Sequence, residues 1–435
     1  MAIEVWQLIG SAAPAVASPH VLHAVIAPPD VLVDERRTLY RLACEVYAPG
    51  TGLSDKLLDH PMVRYELGRA LAGHDDLTAE ILVQAAQINV RDAAGVDVVS
   101  DDQATVKLAT ALRIIAPEGA RPQVLTEADG DRFTRALALV GAGVELFRRL
   151  APKMADDLLA HLDLLAVLKT ESSGGVVSAS TRYLPGLVLI EEPSTPIEVA
   201  EALVHECSHL KFFDFSVTRE FLDGRAVHAE HFINSWSNAD WPLEQTFAAW
   251  HAYTALAYFY GFCDSHEMSS VSLLPMARNR AAEIGSWLLL HEEDLGSHAR
   301  WLLRAQQGAG YGEEQKMRGH VERGSLAEED LVDGHIQLAS GVMRARAASG
   351  RIVVARVAAG LSPDLFWLDE DSSWVVSRCS DGGAIELVSI LAAAAREWEA
   401  EKDVVMRRLR AVLKSLRQSS LLVERLEKRP DPEKD

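Results

Sequence analysis

Residues 195–212, Thr-Pro-Ile-Glu-Val-Ala-Glu-Ala-Leu-Val-His-Glu-Cys-Ser-His-Leu-Lys-Phe, constrain this chain more than any other stretch. Thr195 followed by Glu198 reads as a capping box, and Pro196 suits the first helical position, so a helix is expected from there. At 3.6 residues per turn, His205 and His209 leave that helix from one face, one turn apart. Both imidazoles can then grip one divalent cation. Glu206 flanks them at the edge of the same face. Val199, Leu203, Cys207 and Leu210 form the apolar stripe that would bury the helix. Directly upstream, Gly186-Leu-Val-Leu-Ile190 reads as a buried strand. Five-residue H-E-x-x-H matches occur by chance in surface helices, and the cap and the strand are what raise this one to a candidate metal site.

A chain of 435 residues predicts two to three domains and a sizeable core. Hydrophobic residues at 48% and aromatics at 6% suit an Ala/Leu-rich, mainly helical protein. The formal net charge of −20 argues against nucleic acid and anionic membrane as partners. It would suit a cationic partner, although acidic composition is common without that meaning. Cys44, Cys207, Cys263 and Cys379 form no C-x-x-C pair and read as reduced thiols. The first residues carry Glu4 and no basic cluster, so no signal peptide is expected despite Ala15-Val-Ala17. With no run of eighteen apolar residues, no membrane span is expected, and the expected compartment is the cytoplasm.

The fold class expected is mainly α (α+β): a helical protein with a small sheet packed on the HExxH helix and a C-terminal α/β accessory region. Residues 1–170 read as a helical N-terminal region, with helices near 31–46, 54–72, 75–88, 101–115, 127–150 and 153–169. Gly95 to Ser100 could be a short strand or a turn. Ser172-Ser-Gly-Gly175 breaks the pattern. Residues 171–310 read as the catalytic core, with strands at 176–180 and 186–190, the metal helix at 196–213, a helix at 243–262 and a long helical pattern over 267–306. A linker at 311–330 leads to an accessory region, 331–427. There a helix is expected at 331–348, strand-like runs at Ile352-Val-Val-Ala and Trp374-Val-Val-Ser, and a long helix at 389–426. Residues 428–435 read as a solvated tail.

Two histidines leave a metal under-coordinated, and a catalytic site wants a third protein ligand with an open position. On the helix after Pro242, Glu244, Phe247, Ala248, His251 and Ala255 share one face. His251 is therefore the leading candidate, with Glu244, His228, Glu230 and His231 as others. A histidine in an aromatic helix is otherwise a hydrogen-bonded core residue, and polar clustered histidines are ordinarily surface residues. With zinc, Glu206 would be the general base that activates water for peptide hydrolysis. With iron(II), free positions would accept a 2-oxo acid and dioxygen, and Glu206 would orient its neighbours. The motif allows both chemistries, as well as a non-catalytic partner protein with an accidental match.

Ser180-Thr-Arg182-Tyr-Leu-Pro185-Gly186-Leu-Val-Leu-Ile190, then Ala200-Glu-Ala-Leu-Val-His205-Glu206-Cys-Ser-His209-Leu-Lys211-Phe212, resembles a bacterial family. Its members are HExxH-containing, 2-oxoglutarate-dependent peptide β-hydroxylases among the ribosomal-peptide tailoring enzymes. Trp236, Trp241-Pro242-Leu243 and His251-Ala-Tyr253 resemble the family's Trp-rich loop and Pro-Leu-led helix, so the likeness covers about 80 residues, 178–258. Cys207-Ser208 replace a bulkier pair, and His-Ala-Tyr stands where the family often has Tyr-Ala-His, which can shift the third ligand by two positions. The resemblance implies iron(II) held by His205, His209 and His251, with 2-oxoglutarate and O2 as cosubstrates. It implies hydroxylation at a β-carbon of a precursor peptide. The distal carboxylate of 2-oxoglutarate needs a cation. Arg182, on the turn between the strands, is one candidate. Lys211 is another, matching the family's lysine, although it lies 200° around the helix from His209.

Overall fold

Short polar side chains set several helix starts. Ser54, Thr78, Thr195 and Asp369 each accept the backbone N–H three residues on, satisfying one of the donors a helix leaves orphaned at its first turn. The computed structural model describes residues 28–73, 77–116, 119–223, 226, 229–268, 271–307, 335–357, 363–379, 383–398 and 400–425. Residues 1–27 of the apolar, Ala/Pro-rich lead-in that the sequence suggests over 1–30 lie outside them, as do the linker and the tail. The fold is mainly α with small sheets, as the sequence predicts.

Helices α1 (Pro29–Tyr47), α2 (Asp55–Asp59), α3 (Pro61–Leu71) and α4 (Ala79–Ala85) precede the hairpin β1 (Val90–Ala93) and β2 (Val96–Val99). Then come α5 (Ala104–Lys107), α6 (Ala109–Ile115), α7 (Asp131–Leu150) and α8 (Pro152–Leu159). The central sheet is completed by β3 (Leu164–Leu168), β4 (Ser178–Ala179) and β5 (Leu187–Glu191), in the order β1-β2-β3-β5-β4. Strand β3 pairs in parallel with β2 and β5, while β4 runs antiparallel at the edge. The sheet thus takes strands from both sides of residue 170.

Residues 153–169 are not one helix. The apolar run Leu164–Leu168 is buried at every position, the pattern of a central parallel strand covered on both faces. On one side Leu165, Val167, Val188 and Ile190 meet α7 and the HExxH helix α9 (Pro196–Thr218). On the other, Leu164, Ala166, Leu187 and Leu189 meet Met62, Leu108 and Leu112. A leucine run carries the same apolar signal on a helix or a buried strand, which is why its periodicity misleads.

After α9, the hairpin β6 (Phe232–Ile233) and β7 (Asp240–Trp241) leads into α10 (Leu243–Ser265), α11 (Leu274–Leu290) and α12 (Ser297–Gln307). The long pattern expected over 267–306 is broken by a 3-10 turn at Glu292–Asp294 and by Gly296. A Cβ on Gly296 would lie 2.4 Å from the Glu220 carbonyl oxygen, so the chain turns where it touches the end of α9.

Beyond residue 335, β8 (His335–Leu338) and β9 (Val342–Arg346) replace the expected helix, with β10 (Ile352–Arg356) and β11 (Asp364–Trp367) following. Trp374-Val-Val-Ser lies in helix α13 (Glu370–Arg378), because the Asp369 cap outweighs the β-branched pair. Then β12 (Ile385–Glu386), α14 (Leu387–Glu397), α15 (Lys402–Gln418) and β13 (Leu422–Arg425) replace the single terminal helix. Val353 and Ala355 of β10 pack on Leu42 of α1, and Glu35 accepts from Arg351 and Ser349. Trp367 Nε1 donates to the Val217 carbonyl at the end of α9. The accessory region thereby braces α1 and α9. Among the described residues no helix is long and apolar enough to cross a membrane.

Candidate metal centre

The cap at the start of α9 differs slightly from the expected box. Thr195 Oγ1 accepts from the Glu198 N–H, but Glu198 reaches back to the N–H of Ser194 at 2.8 Å. The helix then carries His205 and His209 out on one face with their Nε2 atoms 3.2 Å apart and the rings edge to face. Two nitrogens each about 2.0–2.1 Å from a shared ion, at a tetrahedral or octahedral angle, are about 2.8–3.4 Å apart. That spacing is compatible with one shared divalent cation and equally with a hydrogen bond from one ring to the other. Burial and the charge of His205 hold His209 well below its ordinary pKa, in the neutral form that a metal requires. Both rings remain partly open to solvent.

Glu206 points the other way along the helix edge, towards the sheet. Ser178 Oγ donates to its Oε1 and Ser180 Oγ to its Oε2, each at 2.7 Å, and the residue is 3% exposed. Both serines belong to edge strand β4 or the turn after it. Charge-assisted bonds to both oxygens fasten the helix to the sheet and give the carboxylate one orientation.

His251 is buried on α10, and its Nδ1–H donates to the carbonyl of Ser208 at 3.0 Å. Among the described residues, no three His, Cys, Asp or Glu side chains converge to hold one ion, so His251 does not join His205 and His209 in such a group. Two residues on, Tyr253 brings its ring centre to 6.0 Å from that of His205. Its hydroxyl accepts from Arg280 Nη1 at 2.9 Å, and the Arg280 guanidinium lies over the Tyr253 and Trp236 rings at 5.2 and 4.9 Å. Arg280 is half-buried on α11. Glu283, one turn on, accepts from the N–H and Oγ of Ser235 and so holds the Trp236 loop.

The remaining candidates stand elsewhere. Exposed Arg182 pairs with Glu244, which occupies both of them. Lys211 is 1% exposed and donates to both carboxylate oxygens of Asp157 at 2.6 and 2.7 Å, on the far side of α9 from His209. His231 is exposed and pairs with Asp240 at 2.9 Å, while Glu230 lies 3.7 Å from His291. His228 lies outside the described residues.

The back of α9 is clamped by charge. Asp214 accepts from Arg36 Nη1 at 2.5 Å and from His161 Nδ1 at 2.6 Å. Burial alone would raise its pKa, but Arg36 and the His161 N–H bring it down to about 2. Arg64 links Asp163, at 2.9 Å, to the carbonyls of Leu58 and Pro185. Burial pushes Asp163 up to about 6 against the pull of Arg64. Helix α9 is thus anchored on the side away from its paired histidines.

Neither a family model nor a curated protein matches this chain. Its chemistry is therefore read from its own residues. Ser178, Ser180 and Arg280 belong to the neighbourhood of the paired imidazoles and were not singled out by spacing. A serine on an edge strand or an arginine two helices away has no local signature; only its place beside the site marks it.

Proposed function

We propose that this protein is a non-haem iron(II), 2-oxoglutarate-dependent oxygenase that hydroxylates the β-carbon of a residue in a ribosomally made precursor peptide. The observation that carries the reading is the pairing of two partly open imidazoles beside a Glu206 whose two oxygens are both held by serines. His205 and His209 would hold the ion. Glu206, tied to β4 and nearly closed to solvent, positions the helix and does not face a reacting water. Iron(II) with 2-oxoglutarate and O2 would supply the oxidation, in which a C–H bond becomes C–OH while 2-oxoglutarate leaves as succinate and CO2.

A peptide substrate is supported by the sheet edge. Among the described residues β4 pairs only with β5, leaving its outer edge beside Glu206 for an extended segment to add a strand. Val177, at 71% exposed, and Tyr183, at 54%, flank that edge with apolar surface. The four cysteines, all buried and none in a disulfide, suit a reducing compartment, and the cytoplasm is where such a precursor would be met.

Incubation with iron(II), 2-oxoglutarate, ascorbate and the precursor peptide in air should form succinate and add one oxygen atom to the peptide. Replacing His205 by Ala should abolish both. Succinate formation that survives His205→Ala sinks the proposal. The same free edge would also serve a zinc metallopeptidase, the second reading, which requires Glu206 to leave its two serines and predicts cleavage of a peptide without 2-oxoglutarate.

A further inference from the structure

We infer that the cleft between α10, α11 and the end of α12 is a binding site for a small aromatic carboxylate. The cleft measures about 640 Å³, within the range of pockets that enclose small ligands. None of the residues placed beside His205 and His209 lines it, so it is separate from that face. Trp250, Tyr258 and Phe262 of α10 give it an aromatic lining, with the Tyr258 and Phe262 rings edge to face at 5.2 Å. Flat rings pack favourably against the faces and edges that such a pair presents. Gly261 stands between those two residues, and a Cβ there would meet nothing within 4 Å. The slot along the aromatic lining is therefore unfilled.

Two polar groups set the chemistry of the ligand. Arg278 of α11 lines the cleft from an exposed position. Among the described residues it has no carboxylate partner, in a chain where Asp and Glu outnumber Lys and Arg by 63 to 43. Its planar fork can take a carboxylate through two parallel hydrogen bonds. Gln306 of α12 brings an amide whose Oε1 is shut off from solvent and accepts no hydrogen bond from any described residue. Buried acceptors are almost always satisfied, so an orphaned one beside a cleft marks a place for a donor. A turn of the amide would offer that oxygen to an N–H on the ligand. A cation, an aromatic wall and an acceptor together call for a flat apolar body with one carboxylate and one N–H. A sugar or a polyphosphate would leave the aromatic lining unmatched.

The test is calorimetry on the full chain without added metal, using three probes. These are indole-3-acetate, its neutral amide indole-3-acetamide, and 1-naphthylacetate, which lacks the N–H. The wild type should bind indole-3-acetate at one saturable site, about tenfold more tightly than the amide. Arg278→Met should weaken the acid to the level of the amide and leave the amide unchanged. Gln306→Leu should weaken indole-3-acetate about threefold and leave 1-naphthylacetate unchanged. Gly261→Leu should abolish binding of all three, because its side chain fills the slot. Leucine also favours a helix more than glycine does, so the thermal melt of that variant should not fall. Absence of saturable binding by the wild type overturns the proposal. So does binding that survives Gly261→Leu, or a wild type that holds acid and amide equally. None of these results touches the oxygenase reading, which is decided by His205→Ala.

Discussion

Gly143 of α7 and Val199 of α9 meet without room for another atom: a Cβ on Gly143 would lie 2.4 Å from Val199 Cβ and 2.8 Å from the Pro196 carbonyl oxygen. This is where α7 crosses the first turns of the helix that carries His205 and His209. Gly143→Ala should cost about 1–3 kcal/mol, because neither backbone can withdraw from a packed core. Chemical denaturation would measure the loss. Divalent-metal affinity should fall with it, since α9 must shift to admit the methyl group.

Removing the donors to Glu206 should loosen the same helix from the sheet. Each of Ser178→Ala and Ser180→Ala should cost about 1–3 kcal/mol, the range for a bond to a buried charge. Glu206→Gln should reduce hydroxylation modestly if the carboxylate only positions α9, and should abolish turnover if it is a peptidase base. Rate measurements on that variant separate the two chemistries.

Lys211 is a clamp rather than a ligand for an acid. Lys211→Met would remove the buried ammonium that donates to both oxygens of Asp157 and should destabilise the protein by about 3–5 kcal/mol. The fraction that remains folded should bind 2-oxoglutarate with unchanged affinity. A selective loss of 2-oxoglutarate binding without a fall in stability would contradict this role.

Asp163 makes the fold lose stability as pH rises from about 4 towards neutrality. Its folded pKa of about 6 exceeds the ordinary 3.8, so its contribution is fully present below pH 3.8 and is lost as pH rises through 6. Asp163→Asn keeps an acceptor for Arg64 but cannot ionise. The variant should therefore gain about 1–2 kcal/mol relative to wild type between pH 4 and pH 8. Thermal melts across that window would show it, and parallel curves would exclude it.

Some of this was legible along the chain because the signals are local. The Thr195 cap, the buried run before it and the i, i+4 histidine spacing each depend on residues within a turn or a strand of one another. Those readings placed the HExxH helix and the strand beside it. Helix and strand were confused at Leu164–Leu168, at His335–Arg346 and at Trp374, where apolar or β-branched residues suit either state and burial or a cap decides. Pro185-Gly186 also has a reason that sequence could not supply. Gly186 has φ +95°, and a Cβ there would sit 2.6 Å from Asp163 Oδ2.

By itself, then, the sequence determined that one helix presents His205 and His209 on a common face with Glu206 beside them, because helical pitch leaves no other arrangement. What surrounds that face was decided only by tertiary packing. It set Glu206 against Ser178 and Ser180, seated His251 on the Ser208 carbonyl and turned Lys211 towards Asp157. It also brought Tyr253 and Arg280 from two other helices to the imidazoles. The physical reason is that helix spacing fixes directions within one element, whereas partners across elements depend on how closely α7, α9, α10 and α11 pack.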